Sequence, residues 1–379
     1  MERRPRILVV AGTRPEAIKV APLVLELRRY EAQVETLLVS TGQHREMLTQ
    51  ALSAFDLEPD LNLDIMQHGQ TLAEVTSRAL SGLDRLIAET KPDIVLAQGD
   101  TTTTFTAALA VFYRGIPFGH VEAGLRTPTI RNPFPEEFNR RAATLVTDLH
   151  FAPTQWAVDN LLAERVDPAA IFRTGNTGVD AVLSIAGKVS HDWFPEHKGR
   201  VVTLTTHRRE NWGEPMRQIA IAARELLDEF PDLLLVVPMH LNPQVRATLS
   251  SVLGDHARAR LIEPPEYGRF IPLMRRSALI LSDSGGVQEE APAFGLPVLV
   301  LRETTERPEG VEAGTAKLVG TDRALIFTEA KRLLEDERAY AAMAHAISPY
   351  GDGRASQRIR HIVLGRLGIE TPAVAEVLA

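Results

Sequence analysis

The stretch ILVVAGTRPE, residues 7–16, joins a five-residue apolar run to a helix start through a single glycine. The run is short and continuously apolar, which is typical of a strand that is buried on both faces. Thr13 and Glu16 have the spacing of a capping box, and Pro15 suits a first helical turn. A buried strand followed at once by a helix is the repeating unit of a parallel α/β sheet.

The same pattern recurs along the chain. Strands are predicted over 7–11, 34–39, 94–97, 116–121, 149–152, 201–205, 233–238, 261–262, 278–282 and 297–301. Helices are predicted over 18–30, 72–90, 102–114, 215–230, 243–253, 271–276 and 288–294, with two more starting near residue 325 and after Gly353. The alternation predicts an α/β fold of two doubly wound, Rossmann-like parallel-sheet domains that face a central cleft.

A linker separates the two predicted domains. We expect an N-terminal domain over 1–177, a linker over 178–200 and a C-terminal domain over 201–353, with 354–379 packed on the N-terminal domain. In doubly wound sheets, ligands bind at the carboxyl ends of the strands, where the strand order reverses. The loops that follow the strands are therefore where functional residues are expected.

Composition excludes several classes of function. The chain has 379 residues, of which 44% are hydrophobic. Its net charge is −7 and it has no long basic run, and both features argue against sequence-independent nucleic-acid binding. It has no cysteine, which excludes disulfides, thiol nucleophiles and cysteine-ligated metals. No apolar run approaches the roughly 20 residues that span a membrane. We expect a cytoplasmic protein that binds neither nucleic acid nor membrane.

Two cations follow the first strand. Arg14 lies in a first helical turn, where a cation opposes the helix dipole, and an anionic ligand would resolve that conflict. Lys19 suits a surface position, and its spacing alone favours that interpretation.

Three carboxylates are candidates in the first half. Asp100 opens the run DTTTT, where it is either a helix N-cap or a ligand-facing group beside hydroxyls that suit a sugar. Glu122 follows an apolar strand between small residues, so it either faces a cleft or is buried at a cost, and we favour a functional role. Glu136 is either a member of an ion pair on a helix surface or a catalytic carboxylate. The spacing allows two i,i+4 pairs, Glu136 with Arg140 and Glu137 with Arg141.

The second half offers two candidate anion sites. His207 and Arg208 follow a predicted strand and form either an anion clamp or a solvated basic loop. Ser284, Gly285 and Gly286 join a strand to a helix, where backbone N–H groups can approach a phosphate. The alternative for this second segment is a plain turn.

Missing motifs narrow the chemistry. The first strand is not followed by G-x-G-x-x-G, and no acid ends the second strand, which argues against a bound nicotinamide dinucleotide. Walker A, D-x-D and H-E-x-x-H patterns are also missing from the sequence. We therefore expect no cofactor and no metal.

The ordered set of motifs resembles the bacterial non-hydrolysing UDP-N-acetylglucosamine 2-epimerases. The matching segments include GTRPEAIK at 12–19 and DSGGVQEEAP at 283–292, together with 43–48, 99–104, 119–127, 135–137, 174–177, 207–210, 240–243, 304–309 and 349–353. This resemblance implies a glycosyltransferase-B-like fold and a homodimer. It also implies reversible conversion of UDP-N-acetylglucosamine to UDP-N-acetylmannosamine, which supplies precursors for surface polysaccharides.

The resemblance also implies roles for individual residues. It implies a catalytic set of Asp100, Glu122, Glu136, His207 and Lys19, UDP-binding positions at Arg14, Ser284, Gly285, Gly286 and Glu290, and an allosteric substrate site at Gln43, Gln70, Arg208 and His240. The chain departs from the family pattern at two places. His68-Gly69 precedes Gln70 where some members have arginine, and Ser348 stands where asparagine is common.

A reaction hypothesis accompanies the resemblance. The hydrogen at C-2 of the sugar is not acidic, but departure of UDP from C-1 makes it so, and a carboxylate can then remove it to leave 2-acetamidoglucal beside UDP. Proton return from the opposite face and re-addition of UDP invert C-2. The alternatives are a hydrolysing epimerase, a transferase of the glycosyltransferase-B type, and a sugar-nucleotide sensor without catalysis.

Overall fold

A computed structural model describes residues 3–43, 45–67 and 69–377. His44 and His68, which belong to or flank segments named above, lie outside these ranges. The described chain forms two compact units: unit 1 runs to Ser184 and resumes at Tyr350, and unit 2 is Ile185–Pro349. A helix at Thr177–Lys188 spans the first boundary, so helical structure occupies the beginning of the segment that we expected to be a linker.

Unit 1 alternates strands and helices, and it contains short strands and helices that the sequence did not predict in addition to those that it did. Its strands are β1 (Arg6–Ala11), β2 (Glu35–Ser40), β3 (Leu61–Asn62), β4 (Ile94–Gln98), β5 (Phe118–Val121), β6 (Leu149–Ala152) and β7 (Ile171–Arg173). Its helices are α1 (Arg14–Arg28), α2 (Arg45–Ser53), α3 (Leu72–Thr90), α4 (Thr102–Tyr113), α5 (Glu136–Thr144), α6 (Gln155–Ala163), the start of α7 (Thr177–Lys188) and, after the return of the chain, α15 (Ala355–Arg366).

Unit 2 repeats the arrangement with six strands. They are β8 (Val201–Thr205), β9 (Leu234–Pro238), β10 (Ala259–Ile262), β11 (Leu279–Ser282), β12 (Val298–Val300) and β13 (Ala316–Leu318). The helices are α8 (Glu214–Glu229), α9 (Pro243–Leu253), α10 (Tyr267–Arg276), α11 (Gly285–Glu290), α12 (Pro308–Glu312), α13 (Arg323–Glu335) and α14 (Glu337–Ala344).

Each unit contains one parallel sheet with the strand order of a doubly wound fold. The order is β3-β2-β1-β4-β5-β6-β7 in unit 1 and β10-β9-β8-β11-β12-β13 in unit 2. In both sheets the order reverses between the first strand and the fourth, so that β1 lies beside β4 and β8 beside β11. The predicted fold class of two parallel α/β sheets is confirmed.

The buried cores explain why these runs form central strands. In unit 1, Leu8, Val10 and Val95 pack with apolar residues of α3 and α4. In unit 2, Leu204 and Leu281 pack with the buried faces of α8 and α13. A strand with helices on both faces buries every side chain, which accounts for continuous rather than alternating apolar runs. None of the helices in the described ranges is both long and apolar enough to span a bilayer.

Candidate active site

The switch point of unit 1 lies where β1 and β4 end side by side, and Glu16 joins the two loops that follow them. One oxygen of its buried carboxylate, Oε2, accepts from the backbone N–H groups of Gly12 and Thr13 at 2.8 and 2.7 Å. The other, Oε1, accepts from Thr101 and, at 3.3 Å, from Thr104. Burial raises the pKa of Glu16, although these hydrogen bonds act in the opposite direction.

Gly12 lets two threonines approach the end of β1. A Cβ atom at this position would lie 2.1 Å from Oγ1 of Thr103 and 2.5 Å from Oγ1 of Thr41. The two hydroxyls share a hydrogen bond of 3.1 Å, and Thr103 also donates to Gln43 at 3.4 Å. Gln43, which the resemblance assigns to an allosteric site, therefore lies beside the switch point of unit 1.

Glu122 is buried at the end of β5 and paired with Lys19. Lys19 of α1 and Gln98 at the end of β4 each donate to one of its carboxylate oxygens. The side chains of Lys19 and Glu122 are 12% and 8% exposed, so the surface position that spacing favoured for Lys19 is wrong. Glu122 also has a left-handed backbone with φ of +66°, which costs a non-glycine residue roughly 1 kcal/mol. Strain of this kind is typical of functional positions.

Asp100 is tied to α5 and does not cap α4. The N-cap is Thr101, whose hydroxyl accepts from the backbone N–H of Thr103. Asp100 instead accepts from the Arg140 guanidinium, and its backbone carbonyl accepts from the Asn139 amide at 2.9 Å. The Asp100 side chain remains 30% exposed, so the carboxylate is held in place without being covered.

The i,i+4 pairs expected on α5 form only in part. Glu137 is fully buried and accepts from Arg141 at 2.7 Å, as the spacing predicts. It also accepts from Arg140 at 3.0 Å, and that guanidinium then bridges to Asp100 instead of pairing with Glu136. Glu136 itself is half-buried at the first position of α5.

Arg14 occupies the first turn of α1, as the sequence predicts. It is half-buried, and nothing in the described ranges forms a hydrogen bond or ion pair with its guanidinium. A cation at a helix N-terminus is unfavourable by itself, so this position favours an anionic ligand.

Two buried histidines support this edge of the sheet without being candidates for proton transfer. His120 Nε2 donates to the carbonyl of Gly99 at 2.7 Å, in the loop that carries Asp100. Burial lowers the pKa of His120 to about 3 and that of His150 to about 4. Both side chains are therefore neutral at physiological pH and have structural roles.

In unit 2, Asp283 organises the switch point between β8 and β11. Its fully buried carboxylate follows β11 and accepts from the backbone N–H groups of His207 and Arg208 at 2.9 and 3.0 Å. Thr206 and Asn211 donate to the same oxygen at 2.8 and 3.0 Å. Burial would raise the pKa of Asp283, but the neighbouring His207 side chain, through its hydrogen bonding and its charge, and then the backbone N–H groups of Arg208 and His207 lower it to about 2.

His207 lies beside the Asp283 carboxylate and stacks on a second histidine, His240. Its Nδ1 is 3.0 Å from Oδ1 of Asp283, and its side chain is 40% exposed. The ring stacks on His240, with centroids 5.9 Å apart and an interplanar angle of 23°. Burial, followed by the charge of His207, lowers the pKa of His240. Two residues with different predicted roles, catalytic and allosteric, are thus in direct contact.

The segment from Ser284 to Glu290 follows Asp283 directly. Ser284 is the N-cap of α11, and its side chain makes no capping hydrogen bond. A Cβ at Gly285 would lie 2.7 Å from Cζ of Arg307, so glycine lets that guanidinium approach the backbone. Glu290, at the end of α11, accepts from the Tyr267 hydroxyl at 3.2 Å.

Two predicted allosteric residues have other surroundings. Gln70 precedes α3 and accepts from Arg78 at 2.9 Å. Arg208 is half-buried, and within the described part of the chain its buried Nε has no hydrogen-bond partner. A search of the described residues finds no group of three His, Asp or Glu side chains that could hold a metal ion.

Comparison with known proteins identifies the family of this chain. The family model described as UDP-N-acetylglucosamine 2-epimerase matches residues 26–364. A Bacillus subtilis protein named UDP-N-acetylglucosamine 2-epimerase is 52% identical over 368 residues, which cover 97% of both chains. The chain belongs to the UDP-N-acetylglucosamine 2-epimerase family. An epimerase is an isomerase, so the chain is an enzyme of that class.

Solved structures of the epimerase family have the same fold as this chain. A Neisseria meningitidis epimerase bound to UDP-N-acetylglucosamine has a TM-score of 0.88 and 45% identity, covering 95% of this chain and all of that chain. The Staphylococcus aureus protein MnaA, in a co-structure with UDP, has a TM-score of 0.89 and 47% identity, covering 99% and 100%. A glycosyltransferase of kitacinnamycin at 13% identity and a TM-score of 0.66 shows the fold alone, which is glycosyltransferase-B-like.

The sequence did not predict the long-range contacts of four residues that organise the two switch points. They are Glu16, Gln98, Arg140 and Asp283. A signal was available for Asp283, because a carboxylate directly after a buried strand, in a Ser-Asp-Ser sequence, needs several donors. The partners of Arg140 could not be found by spacing, because Asp100 lies 40 residues away in the chain.

Proposed function

We propose that the protein interconverts UDP-N-acetylglucosamine and UDP-N-acetylmannosamine by eliminating and re-adding UDP. The observation that carries this proposal is a pair of carboxylates at the switch point of unit 1, each held by other side chains. Asp100 accepts from Arg140, and Glu122 accepts from Lys19 and Gln98. The related Neisseria meningitidis enzyme, solved with UDP-N-acetylglucosamine, supports this substrate.

The first step breaks the bond between C-1 and the diphosphate oxygen, and the electron pair leaves with UDP. A carboxylate of the set Asp100, Glu122 and Glu136 takes the C-2 proton, and the C–H electrons form the C-1–C-2 double bond of 2-acetamidoglucal. Return of a proton to the other face of C-2 and attack of UDP on C-1 complete the inversion. The overall reaction requires no oxidant or reductant.

The surroundings of the two held carboxylates support acid/base roles. Glu122 pairs with Lys19 in a nearly buried position, where a proton can pass between a carboxylate and an ammonium group. Asp100 is more exposed, and the Arg140 guanidinium holds its carboxylate in one orientation. We infer that Glu136, at the first position of α5, completes the set.

The UDP-binding positions belong to the same proposal. The Arg14 guanidinium has no hydrogen bond or ion pair within the described ranges, and it would offset part of the diphosphate charge. We propose the same role for His207. Ser284, Gly285 and Gly286 would receive phosphate oxygens on backbone N–H groups, and Glu290 would accept from the ribose hydroxyls. A related Staphylococcus aureus structure with UDP supports a nucleotide site in this chain.

Allosteric activation by substrate is a finer part of the proposal. It would use Gln43, Gln70, Arg208 and His240. The stack of His240 on His207 supports it, because a ligand that moves His240 would act directly on the proposed catalytic histidine. The supply of precursors for surface polysaccharides and the cytoplasmic location expected from the sequence also remain predictions.

We propose that the protein is a homodimer, and an exposed apolar surface in unit 1 supports this. We call it the α4–α5 surface; its large members are Phe112, Tyr113, Phe138 and Leu145, which are 58%, 68%, 47% and 86% exposed. The two helices are neighbours, since Phe105 and Phe138 have ring centroids 5.7 Å apart. Exposed aromatic and aliphatic side chains on neighbouring helices are typical of protein interfaces.

Proton NMR of UDP-N-acetylglucosamine with the purified protein in deuterated water tests the reaction. We expect UDP-N-acetylmannosamine with deuterium at C-2. Product that retains its original hydrogen would exclude the elimination route, whereas free N-acetylmannosamine would indicate a hydrolysing enzyme. Transfer to an added sugar acceptor would indicate a transferase, and binding without turnover would indicate a sensor.

A further inference from the structure

The two oxygens of the Asp283 carboxylate have different surroundings. Oδ2 is saturated by four donors: the Thr206 hydroxyl, the Asn211 amide and the backbone N–H groups of His207 and Arg208. Oδ1 is equally buried, and in the described part of the chain it has no aligned hydrogen bond. Its ion-pair partner is Nδ1 of His207, at 3.0 Å.

This contact bears on which nitrogen of His207 carries the proton. A neutral imidazole has one N–H and one lone pair, and a lone pair 3.0 Å from an anionic oxygen would be repelled. The contact therefore favours the proton on Nδ1, beside Asp283, and the lone pair of the neutral ring on Nε2. The stack on His240 and the bond of the Trp212 indole N–H to the His207 carbonyl, at 3.1 Å, restrict the ring and its backbone further.

We propose that Asp283 is a positioning residue for His207, fixing its Nδ1–H tautomer so that Nε2 is the nitrogen that exchanges a proton with the leaving diphosphate. This inference rests on the proposed function, in which UDP leaves C-1. As the bond between C-1 and the diphosphate oxygen breaks, the proton that this oxygen receives comes from Nε2, and the proton on Nδ1 stays beside Asp283. The same proton returns to Nε2 when that oxygen attacks C-1 again, so the exchange is balanced over a full turnover.

A purely structural role for Asp283 is the competing explanation, because its Oδ2 already ties the loop after β8 to the end of β11. The variant Asp283→Asn separates the two roles. The four donors around Oδ2 require an acceptor there, so the amide oxygen must take that place and the NH2 group must face Nδ1 of His207. Nδ1 then has to accept, which moves the ring proton to Nε2 and gives the wrong tautomer.

The matched control is Thr206→Val. It removes one donor from Oδ2, and so perturbs the same network, but it leaves Oδ1 facing Nδ1. We expect it to destabilise the protein without changing the tautomer. A structural role predicts that both variants lose activity in proportion to their loss of stability.

The experiment combines nitrogen NMR of histidine-labelled full-length protein with turnover. The signal of His207 is identified as the one that disappears in His207→Gln. The spectra are recorded at a pH at which the chemical shifts of this signal are those of a neutral imidazole. We expect Nδ1–H in the wild type and in Thr206→Val, and Nε2–H in Asp283→Asn. The kcat of Asp283→Asn should fall about 100-fold or more with little change in KM, whereas Thr206→Val should stay within about threefold.

Three outcomes would overturn the inference: an Nε2–H tautomer in the wild type, an unchanged tautomer in Asp283→Asn, or equal losses of kcat in the two variants. The wild-type spectrum decides even if Asp283→Asn does not fold. The tautomer is measured without turnover, so a wild type that fails to interconvert the UDP-sugars would refute the proposed function while leaving the tautomer result intact.

Discussion

Lys19 donates a hydrogen bond to Glu122, joining the second turn of α1 to the residue that follows β5. Both side chains are nearly buried, and Glu122 is held in a left-handed backbone conformation. A fold selected only for stability would place glycine at such a position and would not bury an ion pair there. The arrangement is better explained by a carboxylate that must be presented in one orientation.

The Lys19–Glu122 pair should show strong coupling in a double-mutant cycle. Lys19→Met leaves a buried carboxylate without its cation, and we expect the unfolding free energy to fall by about 3 kcal/mol. Adding Glu122→Gln should recover a large part of that loss, because the uncompensated charge is removed. Chemical denaturation measures both values. Additive effects of the two substitutions would contradict the coupling.

Replacing the proposed base should affect turnover far more than binding. For Glu122→Gln we expect kcat to fall by about 10²- to 10⁴-fold, since the amide cannot accept the C-2 proton. The rate of deuterium incorporation at C-2 should fall equally. Glu164→Gln is the matched control, because Glu164 also pairs with a basic side chain, that of Arg126, but follows α6 outside the proposed site, and it should retain near-normal turnover. Near-normal turnover of Glu122→Gln would remove Glu122 from the mechanism.

Two glycine substitutions should separate packing from nucleotide binding. Gly12→Ala places a methyl group against Thr103 and Thr41, so we expect a loss of about 1–3 kcal/mol in the unfolding free energy. A Cβ at Gly286 would lie 3.9 Å from Oγ of Ser284, an ordinary contact, so Gly286→Ala should fold normally. We expect Gly286→Ala to weaken UDP binding in calorimetry, because the methyl group blocks approach to the backbone. Wild-type affinity for UDP would exclude Gly286 from the phosphate site.

Asp180 should make the stability of the protein depend on pH. It accepts from the backbone N–H groups of Ala355 and Ser356 at 3.1 and 2.7 Å, and burial raises its pKa from 3.8 to about 6. The folded state therefore holds this proton up to a higher pH than the unfolded state. Its contribution to stability is complete below about pH 4 and is lost as the pH rises to about 6, a change of about 3 kcal/mol.

The measurement is the unfolding free energy of the wild type minus that of Asp180→Asn, taken at pH values from 4 to 7. Groups that titrate in both proteins, including the buried histidines, cancel in this difference. We expect the wild type to lose stability relative to the variant as the pH rises. A difference that is constant over this range would show that Asp180 does not titrate there.

The α4–α5 surface should control the oligomeric state. Leu145→Asp places a charge on its most exposed apolar residue, and we expect the protein to become monomeric in light scattering. Ile347→Asp is the control, since Ile347 is 70% exposed in unit 2 and lies apart from this surface in the chain. A monomeric wild type, or a dimer that persists in Leu145→Asp, would contradict the proposed interface.

Local patterns were sufficient for the fold because both sheets consist of repeated strand–helix units with buried strands. The strands that were not predicted are β3, β7 and β13, each two or three residues long. Two or three residues cannot establish a period, and these strands form because a neighbouring strand offers them backbone partners. Helices α2, α6 and α12 were not predicted either, and most of α7 was assigned to the linker because the segment after Gly178 contains His191–Pro195 and a charged tail.

The site was predicted less completely than the fold. Loops after strands were identified correctly as the positions of Asp100, Glu122 and His207, because strand ends are visible in the sequence. Their partners were not, since Lys19, Arg140 and Asp283 come from other elements. Lys19 has the spacing of a surface residue and Asp100 that of an N-cap. Only three-dimensional contacts, over separations such as the 103 residues between Lys19 and Glu122, decide between these interpretations.

The return of the chain to unit 1 at Tyr350 bears on how the protein is made. Buried Arg358 of α15 donates to the backbone carbonyl of Thr174 at 3.0 Å, and Asp180 holds the first N–H groups of the same helix. During synthesis on the ribosome, unit 2 has emerged in full before these contacts can form. The carboxylate-bearing unit is therefore finished last, and a chain that terminates early near residue 350 would contain both complete sheets but would lack α15, which packs on unit 1.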